Sequence, residues 1–97
     1  MEKTYHVYIM ASGRNGTLYI GVTSNLAVRV RQHRTGAVKG FTQQYGVHRL
    51  VHIEAFGDVT EAIAREKALK KWRRAWKLEL IERDNPQWLD LFEQLNG

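Results

Sequence analysis

Two strand-like segments, each carrying one tyrosine, lie on either side of a turn-rich loop near the start of the chain. The segments are Tyr5–Met10 and Leu18–Val22, and the loop between them contains the turn cluster Ser12–Gly16. This pattern predicts a β-hairpin. Because strand side chains alternate between faces, the aliphatic residues of both segments can share one core face. Tyr8 and Tyr19 would then emerge together on the opposite face.

Gly21 lies on the same predicted face as Tyr19. Because glycine has no Cβ, we expect open space beside Tyr19, where a backbone or a ligand could approach closely. Aromatic residues also favour strands for packing reasons alone, so either tyrosine taken singly has an ordinary structural explanation.

The hairpin is followed by a predicted helix over Leu26–Arg34, with capping residues before it and Gly36 after it. On a helical wheel Leu26, Val30 and His33 fall together, with Arg29 at their edge. The residues expected to face away are Val28, Arg31 and Gln32. Arg29 and His33 are one turn apart, so both can point to one site. An arginine fork can hold phosphate oxygens, and an imidazole can bind phosphate or move a proton near neutral pH. A packed or surface histidine remains an alternative for His33 alone.

The second half of the chain predicts a loop over residues 37–48 and a third strand over Leu50–Phe56. Asp58, followed three residues later by Glu61, is a capping box that starts a long helix. The helix should reach Arg73 or beyond, with a bend, because the tryptophans and leucines continue at four-residue spacing. We expect Trp72 and Trp76 in the core. Asn85-Pro86 predicts an N-cap for a last helix over Trp88–Leu95, with its apolar residues on the core.

Glu66 is the most informative single position in this helix. It shares the predicted inward arc with Val59, Ala62, Ile63 and Leu69. A carboxylate there must be paired, bound to a metal or placed at the mouth of a cleft, because burying it alone is costly. The structural alternative is a salt bridge to a neighbour of Arg65 or to Arg29.

The length and composition indicate one globular domain spanning residues 1–97. There are no cysteines, which excludes disulfides and thiolate metal sites. No segment resembles a signal peptide or a membrane span, so we expect a cytoplasmic protein without membrane contact. His48 and His52 lack a complementary ligand set, and no zinc site is predicted.

Positive charge is concentrated in one part of the chain. The formal net charge is +5, whereas residues 65–77 alone carry seven basic residues and one acid. A basic stripe on an otherwise neutral protein indicates a polyanion partner. A charged helix face kept for solubility is the alternative.

Taken together, these positions resemble the GIY-YIG nuclease superfamily. Tyr19-Ile20-Gly21 matches the second half of the signature, and His6-Val7-Tyr8 stands where Gly-Ile-Tyr is usual. Residues 25–33 resemble the family's Arg/His helix, and Ala64-Arg65-Glu66-Lys67 resembles the segment with its metal-binding glutamate. The resemblance covers nearly the whole chain and is closest to small stand-alone bacterial members similar to the excinuclease C amino-terminal domain.

The resemblance implies an α+β domain, with a three-stranded antiparallel sheet flanked by helices, that hydrolyses DNA with one divalent cation. Glu66 would hold Mg²⁺ or Mn²⁺, and Tyr19 would activate water or act as the base. Tyr8 would support Tyr19, Arg29 would steady the phosphate, and His33 would contact phosphate or relay a proton. Further contacts to the DNA backbone are expected from Lys39, Thr42, Lys67, Lys70, Lys71, Arg73 and Arg74.

Three departures from the family pattern accompany these expectations. His6 replaces a glycine, Asn85 is the only candidate for the family's later asparagine, and no second DNA-binding domain accompanies the motif. The leading hypothesis is a metal-dependent DNA endonuclease, selective for DNA structure and acting in repair or recombination. The alternatives are a non-catalytic nucleic-acid-binding module on the same scaffold and a protein-interaction domain with a solvated basic helix. The sequence leaves the identity of any protein partner open.

Overall fold

A computed structural model describes residues 3–36 and 45–95 of the chain. Lys39 and Thr42, two of the predicted DNA contacts, lie outside these residues. The elements in order are β1 (Tyr5–Ala11), β2 (Leu18–Thr23), α1 (Leu26–Thr35), β3 (Arg49–Phe56), α2 (Val59–Lys71), α3 (Arg74–Asp84) and α4 (Phe92–Leu95). Within the described ranges, no helix has the length and apolar character needed to cross a bilayer.

The three strands form one antiparallel sheet in the order β2-β1-β3, so the predicted hairpin and the predicted sheet are confirmed. The central strand β1 places Tyr8 opposite Gly21 on one side and Ile53 on the other. The register between β1 and β3 shifts after Ile9, because Ile9 pairs with His52 and the next residue, Met10, pairs with Leu50. Val51 is therefore the extra residue of a β-bulge.

Helices cover both faces of the sheet, and each face has its own apolar cluster. The face with α1 and α4 contains the buried residues Tyr8, Met10, Leu26, Val30, Val47 and Leu50. The face with α2 and α3 contains Val7, Ile9, Ala11, Ile20, Val51, Ala62, Leu69, Leu80, Ile81 and Trp88. The predicted placement of the two phenols opposite the aliphatic residues of the hairpin is thus confirmed for both strands.

The bend expected in the long helix is a full break. Trp72 and Arg73 have extended backbones, with ψ of 147° and 153°, and separate α2 from α3. A continuous helix over residues 59–84 would be about 39 Å long, which exceeds the longest dimension of the molecule, 36 Å. The break lets Leu69 and Leu80 pack in the same core. It also removes Arg73 from the inward arc of α2.

Several burial predictions for these helices are wrong. Val59 and Ile63 are 41% and 38% exposed, so the inward arc of α2 is narrower than its apolar pattern indicated. Trp72 is half-buried against the core, as expected, but Trp76 is 49% exposed. Its place in the first turn of α3 depends on the direction in which that helix leaves the break, which local spacing does not define.

The predicted last helix over Trp88–Leu95 is also wrong in its extent, because only Phe92–Leu95 is helical. Asn85 is the C-cap of α3 instead of an N-cap. Its buried amide donates to the carbonyls of Val51 and Leu89, and its Oδ1 accepts from the Leu89 N–H. Trp88 has φ of 58° and is fully buried. Asn85 therefore fixes a turn that inserts Trp88 into the core.

Candidate active site

The phenol of Tyr8 fills the space beside Gly21, the glycine in the second half of the motif. A Cβ built on Gly21 would lie 2.5 Å from Cζ of Tyr8 and 2.9 Å from its Cε1, and would also contact Oη. Such distances exclude any side chain at Gly21 while Tyr8 keeps its position. The expectation of open space for a backbone or ligand beside Tyr19 is therefore wrong, because the phenol of the neighbouring strand occupies it.

The two phenols and one imidazole form a compact cluster on this face. The ring centres of Tyr8 and Tyr19 are 6.3 Å apart, and the His33 ring lies 4.8 Å from Tyr19 and 5.8 Å from Tyr8. Tyr8 Oη and His33 Nε2 are 3.0 Å apart. Tyr8 and His33 are buried, whereas Tyr19 is only half-buried. Tyr19 is thus the phenol of this cluster that remains accessible from outside.

Helix α1 holds His33 and Arg29 against these tyrosines. Asn25 Oδ1 accepts from the Val28 N–H at the start of α1, and Gly36 ends it with φ of 78°. The buried side of the helix contains Leu26, Val30 and His33, as predicted. Gln32 is not among the buried residues of α1, and its Oε1 accepts a hydrogen bond of 3.2 Å from Arg29 Nη1. The three-residue spacing between Arg29 and Gln32 is the signal that could have indicated this contact.

Arg29 connects the phenols electrostatically. Hydrogen bonding to Tyr8 is the main cause that raises the pKa of Arg29, and the Tyr19 oxygen adds to the effect. A guanidinium has only donors, so both phenol oxygens accept from it. Burial, partly opposed by Arg29, raises the pKa of Tyr8 to about 12. Burial, together with the Arg29 charge, lowers the pKa of His33 to about 4.

These pKa shifts define the protons in the cluster near neutral pH. Tyr8 keeps its proton and His33 is neutral, so the Tyr8 O–H donates to His33 Nε2 while Tyr8 Oη accepts from Arg29. Tyr8 therefore acts as a buried connection between the guanidinium and the imidazole.

Glu66 lies on α2, which packs on the other face of the sheet. Its charge acts on Tyr8 and contributes to raising the pKa of that phenol. The carboxylate is 15% exposed, and its Oε1 is 3.3 Å from Lys70 Nζ. This i,i+4 ion pair replaces the salt bridges to Arg29 or near Arg65 that were considered as alternatives.

The donor set around Glu66 fits a hard divalent cation. The described residues contain no group of three His, Cys, Asp or Glu that could form a closed metal cage. Mg²⁺ and Mn²⁺ commonly bind through one carboxylate and complete their coordination with water and substrate phosphates. Glu66, a partly exposed carboxylate whose charge acts on Tyr8, meets that requirement.

The cations of the basic stripe have different environments. Arg65 pairs with Glu54 at 2.8 Å and stacks on Trp72, and Arg74 donates to the carbonyls of Asn15 and Gly16. Lys67 and Lys71 are exposed. Arg65 therefore has a structural role in the fold, and Arg74 links α3 to the turn of the hairpin.

A groove with a volume of about 320 Å³ begins at Tyr19 and runs along the edge strand β2. It is lined by Leu18, Tyr19, Ile20, Lys70 and Lys77. Lys77 Nζ also lies 3.4 Å from the Lys70 carbonyl, which it contacts as a donor. Lys77 was not predicted as a site residue, although it is seven positions after Lys70 in the same basic stripe.

His6 stands at the position of the first glycine of the motif. It pairs with Thr23 and Ala55 in the central strand β1, so it does not occupy a sheet edge. Its Nδ1 is buried without a hydrogen-bond partner among the described residues, and burial lowers its pKa. The substitution is accommodated inside the sheet, directly opposite Thr23 and two residues before Tyr8.

A family model described as the GIY-YIG catalytic domain matches residues 4–79. The chain belongs to this family. The match covers the hairpin, α1, β3, α2 and half of α3, and so includes Tyr8, Tyr19, Arg29, His33 and Glu66. The GIY-YIG assignment and the α+β fold predicted from the motif are thereby confirmed.

This GIY-YIG domain has short relatives of similar extent. The UPF0213 protein of Oceanobacillus iheyensis is 34% identical over 82 residues, which cover 84% of this chain and 94% of that protein. The UPF0213 protein of Clostridium perfringens is 38% identical over 76 residues, covering 78% and 81%. The solution NMR structure of a UPF0213 protein from Bacillus halodurans has a TM-score of 0.54 at 29% identity and covers 84% of this chain and 86% of that one.

Proposed function

We propose that this GIY-YIG domain is a divalent-metal-dependent DNA endonuclease. The observation that carries the proposal is the cluster of Tyr8, Tyr19 and His33 around Arg29, with the charge of Glu66 acting on Tyr8. Membership of a family of nuclease catalytic domains supports the same conclusion. These groups combine a cation for phosphate, an accessible phenol and a carboxylate suited to a hard metal ion.

The proposed roles follow from accessibility and protonation. Tyr19 is the phenol open to solvent, and its oxygen accepts from Arg29, so negative charge that develops there has a cationic partner. Tyr19 is therefore the residue that takes the proton of the attacking water. Tyr8 keeps its own proton, which makes it a positioning residue for His33 and Arg29.

In the proposed reaction the water oxygen attacks phosphorus, and the water proton passes to the Tyr19 oxygen as the Tyr19 hydroxyl releases its own proton to solvent. The bond to the leaving ester oxygen breaks, and that oxygen takes up a proton from solvent. Neutral His33, whose ring centre is 4.8 Å from that of Tyr19, accepts the Tyr8 O–H at Nε2 and therefore acts as a positioning residue for the two phenols. Glu66 would hold Mg²⁺ or Mn²⁺. An ion bound there supplies charge neutralisation at the phosphate and at the leaving oxygen.

The exposed cations near the site support a nucleic-acid substrate. Arg74 and Lys77 lie in the first turn of α3, and no acidic residue is present in that turn. Positive side chains at a helix N-terminus oppose the helix dipole, so they do not stabilise α3. A phosphate backbone that binds Lys67, Lys70, Lys71, Arg73 and Arg74 would benefit from both the cations and the dipole. Selectivity for branched, flapped or damaged DNA would suit a role in repair or recombination.

A cleavage assay tests this function directly. Purified protein is incubated with Mg²⁺ or Mn²⁺ and a panel of duplex, single-stranded, flapped and branched DNA. We expect cleavage that requires the metal and that falls by roughly 100-fold or more in Glu66→Gln. Glu79→Gln is the matched control, because it removes the same charge from an exposed position on α3.

The assay also separates the alternatives. Wild-type protein that cuts no better than Glu66→Gln contradicts the catalytic role. Salt-sensitive DNA binding without cleavage and without a metal effect would instead identify a non-catalytic nucleic-acid-binding module. Absence of binding at low salt would favour the protein-interaction alternative.

A further inference from the structure

Trp76 is a large aromatic side chain exposed on a basic surface. It is 49% exposed, although burial of an indole is strongly favourable. Arg73 and Arg74 precede it by three and two residues, and Lys77 directly follows it. Trp76 has no part in the proposed reaction, and it does not belong to either apolar cluster of the core.

The orientation of Trp76 is fixed by two contacts. The Trp72 ring meets it edge-on, with ring centres 6.0 Å apart and planes at 88°. The Arg73 guanidinium lies 5.0 Å from the centre of the Trp76 ring. Trp72 itself is half-buried and stacked by Arg65, so the pair is anchored to the folded core. A ring held in this way is prepared for stacking, because little side-chain freedom remains to be lost.

The surroundings of Trp76 connect it to the cleavage site. Lys77, the next residue, lines the groove that runs along β2 to Tyr19, and Lys70 lines the same groove. The groove is therefore lined by two cations, by two apolar residues of the edge strand β2 and by Tyr19. Positive charge can bind the phosphates of a nucleic-acid strand, and an exposed indole can stack on an unpaired base of the same strand.

We propose that Trp76 is a stacking platform for an unpaired nucleobase of DNA, whose backbone follows Lys77 and Lys70 to Tyr19. This inference rests on the proposed nuclease function and specifies its substrate as a strand with a single-stranded segment, such as a flap. A base in intact duplex cannot reach the indole without leaving its own stack. The platform therefore discriminates unpaired from paired DNA without reading sequence.

The test uses DNA binding in buffer with a metal chelator, so that it does not depend on cleavage. An oligothymidylate and a duplex of the same phosphate count are titrated into wild type, Trp76→Ala and Trp76→Phe, with tryptophan fluorescence and anisotropy as readouts. We expect single strands to quench the wild-type fluorescence. Trp76→Ala should weaken single-strand binding roughly 10-fold and leave duplex binding within about two-fold.

Trp76→Phe keeps a stacking ring, so it should retain most of the single-strand affinity while losing most of the quenching. Leu89→Ala is the control, since Leu89 is 56% exposed outside the basic stripe. Thermal melting verifies that the variants fold. Equal losses for both DNAs, unchanged affinity in Trp76→Ala, or binding of neither DNA would overturn the proposal. Selective single-strand binding without any cleavage would support the platform while contradicting the nuclease function.

Discussion

Tyr8 and Gly21 face each other across β1 and β2, and the phenol of Tyr8 lies where a side chain at Gly21 would be. The two halves of the motif therefore depend on each other sterically, because Tyr8 keeps its position only while residue 21 has no side chain. The glycine admits the phenol, and the phenol in turn reaches His33 and Arg29. A change at Gly21 is therefore transmitted through Tyr8 to His33 and Arg29.

Gly21→Ala tests this coupling. The new methyl group collides with Tyr8 Oη and Cζ, so the phenol or strand β2 must shift. We expect the free energy of unfolding to fall by about 1–3 kcal/mol and cleavage to be lost. Urea denaturation measures the former. Gly13→Ala is the matched control, because nothing lies within 4 Å of a Cβ at that position. Equal stability of the two variants would contradict the coupling.

The two tyrosines should separate stability from catalysis. Tyr8→Phe removes the hydroxyl that joins Arg29 to His33 inside the core, and should cost about 1–3 kcal/mol of unfolding free energy. Tyr19→Phe should change stability by less than about 1 kcal/mol and lower the single-turnover cleavage rate roughly 100-fold or more. Full activity of Tyr19→Phe would show that another group takes the water proton.

The buried imidazole of His33 predicts a pH-dependent stability. Its pKa is about 4 in the fold because of burial and the Arg29 charge, against 6.5 when the chain is unfolded. Between these values the unfolded chain binds more protons, so the unfolding free energy decreases as the pH falls, by up to about 3 kcal/mol. Urea midpoints from pH 7 to pH 4.5 measure this decrease.

His33→Gln is the reference for that measurement. His6, whose pKa is also lowered by burial, acts in the same direction and is retained in the variant. Glu54, whose pKa is lowered to about 2 by hydrogen bonds from His52 and Arg65 despite its burial, loses its contribution only at more acidic pH. A pH profile in His33→Gln as steep as that of wild type would refute the assignment to His33.

The basic stripe should divide into structural and DNA-binding cations. Arg65 is paired with Glu54, so Arg65→Ala should lower the unfolding free energy by about 1–3 kcal/mol and leave the salt dependence of DNA binding unchanged. Lys71→Ala should do the reverse, reducing the slope of log affinity against log salt by about 0.9. Binding isotherms at several salt concentrations distinguish them, and equal slopes for both variants would contradict this division.

Local pattern predicted the elements that place the cluster. Alternation along β1 and β2 placed both phenols on one face, and helical spacing placed His33 on the buried side of α1. Those features depend only on the period of each element. The occupant of the space at Gly21 depends on the cross-strand register, which pairs it with Tyr8 and which residue identities do not specify.

The remaining differences arise from tertiary packing. The break at Trp72 contains neither Gly nor Pro, and its cause is the need to return α3 to the same core as α2. Asn85-Pro86 has the local chemistry of a helix start, but the buried Asn85 amide binds β3 across the molecule instead. Only the assembled fold makes these partners available.

The bulge at Val51 has a consequence for the natural variation of this protein. It lets Leu50 and Ile53, three residues apart, point to the same side, whereas Val51 joins the opposite cluster. Deletion of one residue here would move the side chains on one side of the bulge to the opposite face of the sheet. Either Leu50 or Ile53 would then point away from Tyr8. Homologous chains should therefore tolerate length changes in the hairpin turn far better than in β3. A deletion of one residue in β3 would disrupt the apolar clusters on both faces of the sheet at once.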